Sequence, residues 1–114
     1  MKKGYVSERA RMIYHSNFMN RKAFRVSGSI GATDIIVIEY VPIFKLYQVW
    51  LEQIKSVQGK YFYFDKKAKS EWKRLKDMHI PSYFVVNFRF NHRYHWKSIR
   101  VRGKCPKSMV WDDK

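Results

Sequence analysis

The chain has 114 residues, with 24 Lys plus Arg against 9 Asp plus Glu and a net charge of +15. Its 46% hydrophobic and 18% aromatic content is too high for a disordered polycation, and its length suits one domain with a modest core. No apolar run approaches the roughly 20 residues of a bilayer span, no signal-peptide apolar region follows Met1-Lys2-Lys3, and the single Cys105 excludes an intrachain disulfide or a Cys-rich zinc site. This pattern leads us to expect a reducing, cytoplasmic setting. Such an excess of positive charge predicts a polyanionic partner gripped through its phosphates. The basic residues are spread over the chain and not gathered on one amphipathic helix, which argues against a membrane surface.

Ser7 to Asn20 reads as a helix, with Val6, Ala10, Ile13 and Tyr14 as its apolar stripe and Arg9 and Arg11 off it. Glu8 falls in the first turn, where the helix dipole favours a carboxylate whatever else that residue does. Ala23 to Val26 is a short strand. Ser27-Gly28-Ser29-Ile30-Gly31 is a glycine-bearing loop that lacks the Lys-Ser/Thr ending of a phosphate-binding P-loop. Thr33 to Ile38 and Trp50 to Lys55 are β-branched and aromatic runs that predict strands, and Pro42 between them suits a turn. Closed as a hairpin, they set Val41 against Leu46 and Asp34 against Gln53. Side-chain alternation then puts Gln53 and Lys55 on one face and Glu52 on the other. An acid, an amide oxygen and an ammonium meet at one end of the hairpin, a site suited to a divalent cation beside a general base or electrostatic stabiliser. The competing reading is a purely structural Asp34–Lys55 ion pair.

Tyr61-Phe62-Tyr63-Phe64 reads as an edge strand against the core or as a base-stacking platform. Asp65 is placed to cap a helix from Lys66 to Met78, whose buried stripe is Ala68, Trp72, Leu75 and His79. Lys66, Lys67, Lys69, Lys73, Arg74 and Lys76 give its outer surface almost one sign of charge. Pro81 ends that helix, Tyr83 to Phe90 and Tyr94 to Val101 are strands joined at Asn91-His92-Arg93, and 103–114 is a tail. His15, His79, His92 and His95 have no metal-ligand spacing. The expected order is αβββαββ, a single mixed α/β domain over residues 1–114 with its core at about 4–101.

Four short pieces, in this order, carry a likeness: Gly4-Tyr5-Val6-Ser7-Glu8-Arg9, Phe24-Arg25-Val26-Ser27-Gly28-Ser29, Asp34-Ile35-Ile36 and Gln53-Ile54-Lys55-Ser56. The chain resembles the PD-(D/E)XK nuclease superfamily, and within it the archaeal Holliday junction resolvases, including those of archaeal viruses, over residues 4 to 101. The resemblance implies a restriction-endonuclease-like core, a central mixed sheet of about five strands flanked by helices. It implies that Glu8, Asp34, Gln53 and the Ile54 carbonyl bind Mg²⁺ or Mn²⁺, that Lys55 orients or deprotonates the attacking water, that Arg25 holds the phosphate, and that Ser29 closes on the strand being cut. Arg9, Arg25, the loop Ser27, Gly28 and Ser29, and Lys60, Lys66, Lys67, Lys69 and Lys73 are expected to face DNA. Two residues depart from the pattern: Gln53 stands where the motif has an acid, and Thr33 where it has a proline. Gln53 offers an oxygen but no charge, which lowers the expected metal affinity and gives Glu8 more weight. The activity so implied is a Mg²⁺-dependent, structure-selective DNA endonuclease, a homodimer cutting four-way junctions in pairs, in the cytoplasm or a viral host's cytoplasm. The alternatives are a superfamily nuclease acting on flaps, ends or single strands, and a non-catalytic nucleic-acid-binding module.

Overall fold

The computed structural model describes residues 3–26 and 33–112. Helix α1 spans Lys3–Ser16, followed by β1 (Arg21–Arg25), β2 (Ile35–Val41), β3 (Leu46–Gln58), β4 (Tyr61–Tyr63), α2 (Lys66–Asp77), β5 (Ser82–Phe90), β6 (Arg93–Arg100) and β7 (Ser108–Val110). Five strands form one sheet in the order β1-β2-β3-β5-β6; β4 and β7 pair separately. All neighbours in the main sheet are antiparallel except β3 and β5, which are parallel and joined through β4 and α2, as a parallel pair requires. None of the helices among the described residues is long and apolar enough to cross a membrane.

Turn chemistry fixes the hairpins. Pro42 and Lys45 (φ 52°) shape the β2–β3 turn, and Val41 pairs with Leu46 as the sequence predicts. Asn91 and His92 both have positive φ, the two-residue geometry that matches the twist of the flanking strands β5 and β6. Gly59, at φ +100°, makes the turn into β4 that a side chain would strain.

Alternation along the strands produces two cores. On one face Leu51, Phe84, Val86 and Phe88 meet Ala68, Trp72 and Leu75 of α2, with Phe64 and Met109 closing the layer. On the other, Ile35, Val37, Ile54 and Val85 pack with Met12 and Trp96 near α1. Helix α2 is built as expected: the Asp65 side chain accepts from Ala68 N at 2.8 Å. His79, however, is exposed and left-handed just past the helix end, so it is not part of the buried stripe. The aromatic run divides: Tyr61 and Tyr63 are exposed on β4, while Phe64 is fully buried. The tail is ordered where β7 pairs with β4 and buries Met109.

Helix α1 turns a different face to the sheet than its hydropathy predicts. Val6, Ile13 and Tyr14 are exposed, and Ser7, Arg11 and His15 are buried. The cause is Glu52, 1% exposed on the α1 side of β3. Its carboxylate accepts from Arg11 Nε at 2.9 Å and Nη2 at 3.1 Å, from His15 Nε2 at 2.9 Å and from Trp50 Nε1 at 3.0 Å. A guanidinium has no acceptor, so His15 Nδ1 accepts from Arg21 Nη1 and the imidazole proton sits on Nε2, facing Glu52. Burial alone would push the Glu52 carboxyl up; the hydrogen bonds from His15 and Arg11 and the charge of Arg11 override it and hold it at about 2. A face that carries a bidentate Arg–Glu pair is buried because it is paired, so an apolar stripe is no guide to it.

Candidate active site

Strand β3 outruns its neighbour. Strand β2 begins at Ile35, opposite Glu52, whereas β3 continues to Gln58. The chain just before β2 is pinned on both sides: Asp34 N donates to Glu52 O at 2.9 Å, and Val26 N donates to Asp34 O at 2.9 Å. The Thr33 hydroxyl adds a bond to Ile35 O at 3.0 Å. The ladder itself ends at Ile35 opposite Glu52, and Asp34, bonded through its N–H to Glu52 O, meets Gln53 through its side chain and not as the paired residue expected from the sequence. Its Oδ2 accepts from Gln53 Nε2 at 2.8 Å and from Ile54 N at 2.9 Å. The carboxylate takes the ladder position of the missing β2 residue, so the end of the sheet and the acid are fixed by the same bonds. The carbonyl of a strand residue leaves on the same side as its N–H, so Ile54 O also points past the end of β2, towards Asp34.

Lys55 lies on the α2 side of β3 and does not pair with Asp34. Its Nζ is 2.5 Å from Oε1 of Glu71, on α2, and the two side chains are 19% and 16% exposed. The structural Asp34–Lys55 pair is therefore absent, and Lys55 acts on Asp34 only through its charge. Glu8, from α1, meets Arg25, from β1, at 3.3 Å in a half-exposed pair. The charges of Glu8, from α1, and Glu71, from α2, both act on the carboxylate of Asp34. The Asp34 carboxyl is pushed from 3.8 to about 6, first by burial and further by the charges of Glu8 and Glu71. The bond from Ile54 N and the charge of Lys55 oppose this rise. A carboxyl so raised, at the rim of a sheet and beside a lysine, has the electrostatics of a reactive site.

The donors suit a hard divalent cation, because they are oxygens and their negative charge is in local excess. Asp34 Oδ1 carries no hydrogen bond from the described residues and Ile54 O faces the same side. Among the described residues no three His, Cys, Asp or Glu side chains are already drawn together around a single point. Gln53 presents its Nε2 to Asp34; its oxygen would face that carboxylate only after the amide turned over, which a cation between them would favour. Its side chain is buried and shares the face of Lys55, as alternation requires.

The remaining expected residues separate into groups. Arg9 is exposed on α1. Lys66, Lys67, Lys69 and Lys73 are exposed on α2, where Lys73 pairs with Asp77 at 2.8 Å, and Lys60 lies 4.9 Å from the Phe90 ring centre. A shallow cleft of about 560 Å³ is lined by Lys66, Lys67, Ser70, Glu71 and Arg74, so the basic surface of α2 runs directly to the Lys55 partner. Ser27, Gly28 and Ser29 lie outside the described residues. Glu71 was missed in the sequence. Its signal is its place between Ala68 and Leu75 on the edge of the buried stripe of α2, facing the sheet in a helix whose only other acid is the terminal Asp77.

No protein-family model and no curated protein sequence matches the chain. Among solved structures, it matches the Holliday junction resolvase Hjc of Archaeoglobus fulgidus with a TM-score of 0.66, over 98% of this chain and 85% of that one. The chain has the fold of that resolvase. Sequence identity is 16%, so the likeness is one of architecture: the mixed five-stranded sheet and its flanking helices recur with few of the side chains held in common.

Proposed function

We propose that the protein is a Mg²⁺- or Mn²⁺-dependent DNA endonuclease that resolves four-way junctions. The observation that carries this reading is the half-buried Asp34 carboxylate at the open end of β3, within the field of Glu8 and Lys55, on a resolvase fold, in a chain of net charge +15. Asp34, Glu8 and the Ile54 carbonyl would hold the cation, with Gln53 joining them once its amide turns. A bound cation there supplies Lewis-acid activation of the phosphate and a lower pKa for the attacking water. The protein's own groups do the rest. Lys55 orients the water and offsets charge that builds on the phosphorus oxygens as the bond breaks. Arg25, close to Glu8 at the rim, holds the neighbouring phosphate. Ser29, between β1 and β2 in the chain, would contact the cut strand. Lys66, Lys67 and Lys69 of α2, with Arg9, Lys60 and Lys73, carry the duplex arms by counterion release. A four-way junction needs two symmetry-related cuts, so the working form is a homodimer, acting in the cytoplasm where the DNA is. Cleavage of a mobile four-way junction with and without Mg²⁺, beside a linear duplex of the same sequence, tests the reading. Metal-dependent paired cuts in the junction alone support it, and flap or single-strand cutting instead would assign a different superfamily nuclease.

A further inference from the structure

The site lacks a carboxylate where its chemistry most needs one. Gln53 is neutral and turns its amide nitrogen to Asp34, so β3 itself brings no acid to this face and Asp34 is the one acid of the hairpin there. Another acid reaches the same place from a different element. Glu71 stands in the only acidic position of the first three turns of α2, amid Lys66, Lys67, Lys69, Lys73 and Arg74. Those cations lie on the outer surface, yet Glu71 is turned inwards, 16% exposed, onto the face of β3 that carries Gln53 and Lys55. Its Oε1 is enclosed and makes no hydrogen bond of good geometry; it faces the Lys55 ammonium. Its charge is felt at Asp34, across the end of β3.

We propose that Glu71 supplies the second carboxylate of the site, in place of the acid that Gln53 lacks, and faces the cation together with Asp34. This rests on the nuclease reading above. A structural salt bridge alone would need Glu71 to meet only Lys55. Its placement does more, because it enters the face of β3 on which Gln53, two residues from Lys55, bonds the Asp34 carboxylate. The cleft lined by Lys66, Lys67, Ser70 and Arg74 opens beside Glu71, so a phosphodiester guided along α2 arrives at this carboxylate. Glu71 thus stands between the basic track and the reacting lysine.

The test is a Mn²⁺ and Mg²⁺ titration followed by the rise in melting temperature, with no DNA present, on wild type, Glu71→Gln, Gln53→Glu and the double variant. Glu71→Gln should raise the half-saturating metal concentration about tenfold or more, as expected when a charged oxygen ligand becomes neutral. Gln53→Glu in that background should restore it to within about threefold of wild type, because a carboxylate is returned to the same site. Lys55→Met/Glu71→Gln, compared with Lys55→Met alone, covers the case in which Glu71→Gln unfolds by stranding Lys55. The same rise in half-saturating concentration between these two supports metal contact by Glu71, and coincident titrations overturn it. A folded Glu71→Gln that titrates like wild type also overturns it, as does a double variant that gains nothing from the carboxylate added by Gln53→Glu. If wild type binds metal and cuts junctions while these outcomes fail, only the Glu71 assignment falls. If wild type shows no metal-dependent rise, the nuclease reading falls, and Glu71 with it.

Discussion

Asp34→Asn should stabilise the protein while abolishing its chemistry. Asn keeps the shape of the side chain, and its Oδ1 can still accept from Gln53 Nε2 and Ile54 N, the two bonds that close the end of β3. What it removes is a carboxylate whose burial and acidic neighbours raise it from 3.8 to about 6. The sign follows directly. Below pH 3.8 the carboxyl is protonated in folded and unfolded chains alike. As pH rises, the unfolded chain ionises first, so the stability that a protonated Asp34 confers is lost between about pH 3.8 and 6 and stays lost above. Taken at face value that gap is about 3 kcal/mol; partial exposure and screening reduce it to about 1–2 kcal/mol. In EDTA at pH 7.5, Asp34→Asn should therefore melt roughly 4–8 °C above wild type. The difference should vanish below pH 4, and the order should reverse in millimolar Mg²⁺, which only wild type binds well. Thermal and urea unfolding of both proteins from pH 3.5 to 8 measures all three. If Asp34→Asn is less stable than wild type at pH 7.5 without metal, the carboxylate is a structural anchor and its burial carries no net cost.

Lys55→Ala should eliminate junction cleavage and leave DNA binding near wild type by gel shift, since Lys55 is one of 24 cations and is turned to the site. Glu52→Ala should destabilise the protein by about 3–5 kcal/mol in urea unfolding, because Arg11 is left buried without its counter-charge; Arg11→Met/Glu52→Leu should recover most of that loss. Glu52 is held at about 2, below its ordinary 4.5, so the stability it confers is full above pH 4.5 and is lost as pH falls towards 2; acid unfolding of wild type should be steeper than that of the double variant. Junction affinity should fall steeply with salt, with log affinity linear in log salt concentration; a flat plot would remove the phosphate-binding role of α2.

The hairpin was legible because its signals are local. Pro42 marks the turn, β-branched runs flank it, and a period of two carries the register from Val41 and Leu46 back to Ile35 and Glu52, next to Asp34 and Gln53. Asp65 and the Ala68–Trp72–Leu75 spacing made α2 equally readable. What stayed hidden depends on contacts between residues far apart in the chain. The buried side of α1 is Ser7, Arg11 and His15, and only Glu52, about forty positions on, makes such a face favourable to bury. Hydropathy selected Val6, Ile13 and Tyr14 instead, which face outwards. Lys55 found Glu71 and not Asp34 because α2 lies across its face of the sheet, a packing that no local spacing encodes. The β4–β7 pair joins segments about fifty residues apart through three-residue strands too short to announce themselves.

The most direct test is single-turnover cleavage of a mobile four-way junction by the purified protein, with Mg²⁺ or EDTA, beside linear duplex and beside Asp34→Asn. The account predicts paired, symmetric cuts in opposing strands of the junction, dependent on Mg²⁺, absent with Asp34→Asn and absent from linear duplex. Tight junction binding by the wild-type protein with no cleavage in Mg²⁺ or Mn²⁺ would contradict it and leave a basic DNA-binding module on a nuclease fold.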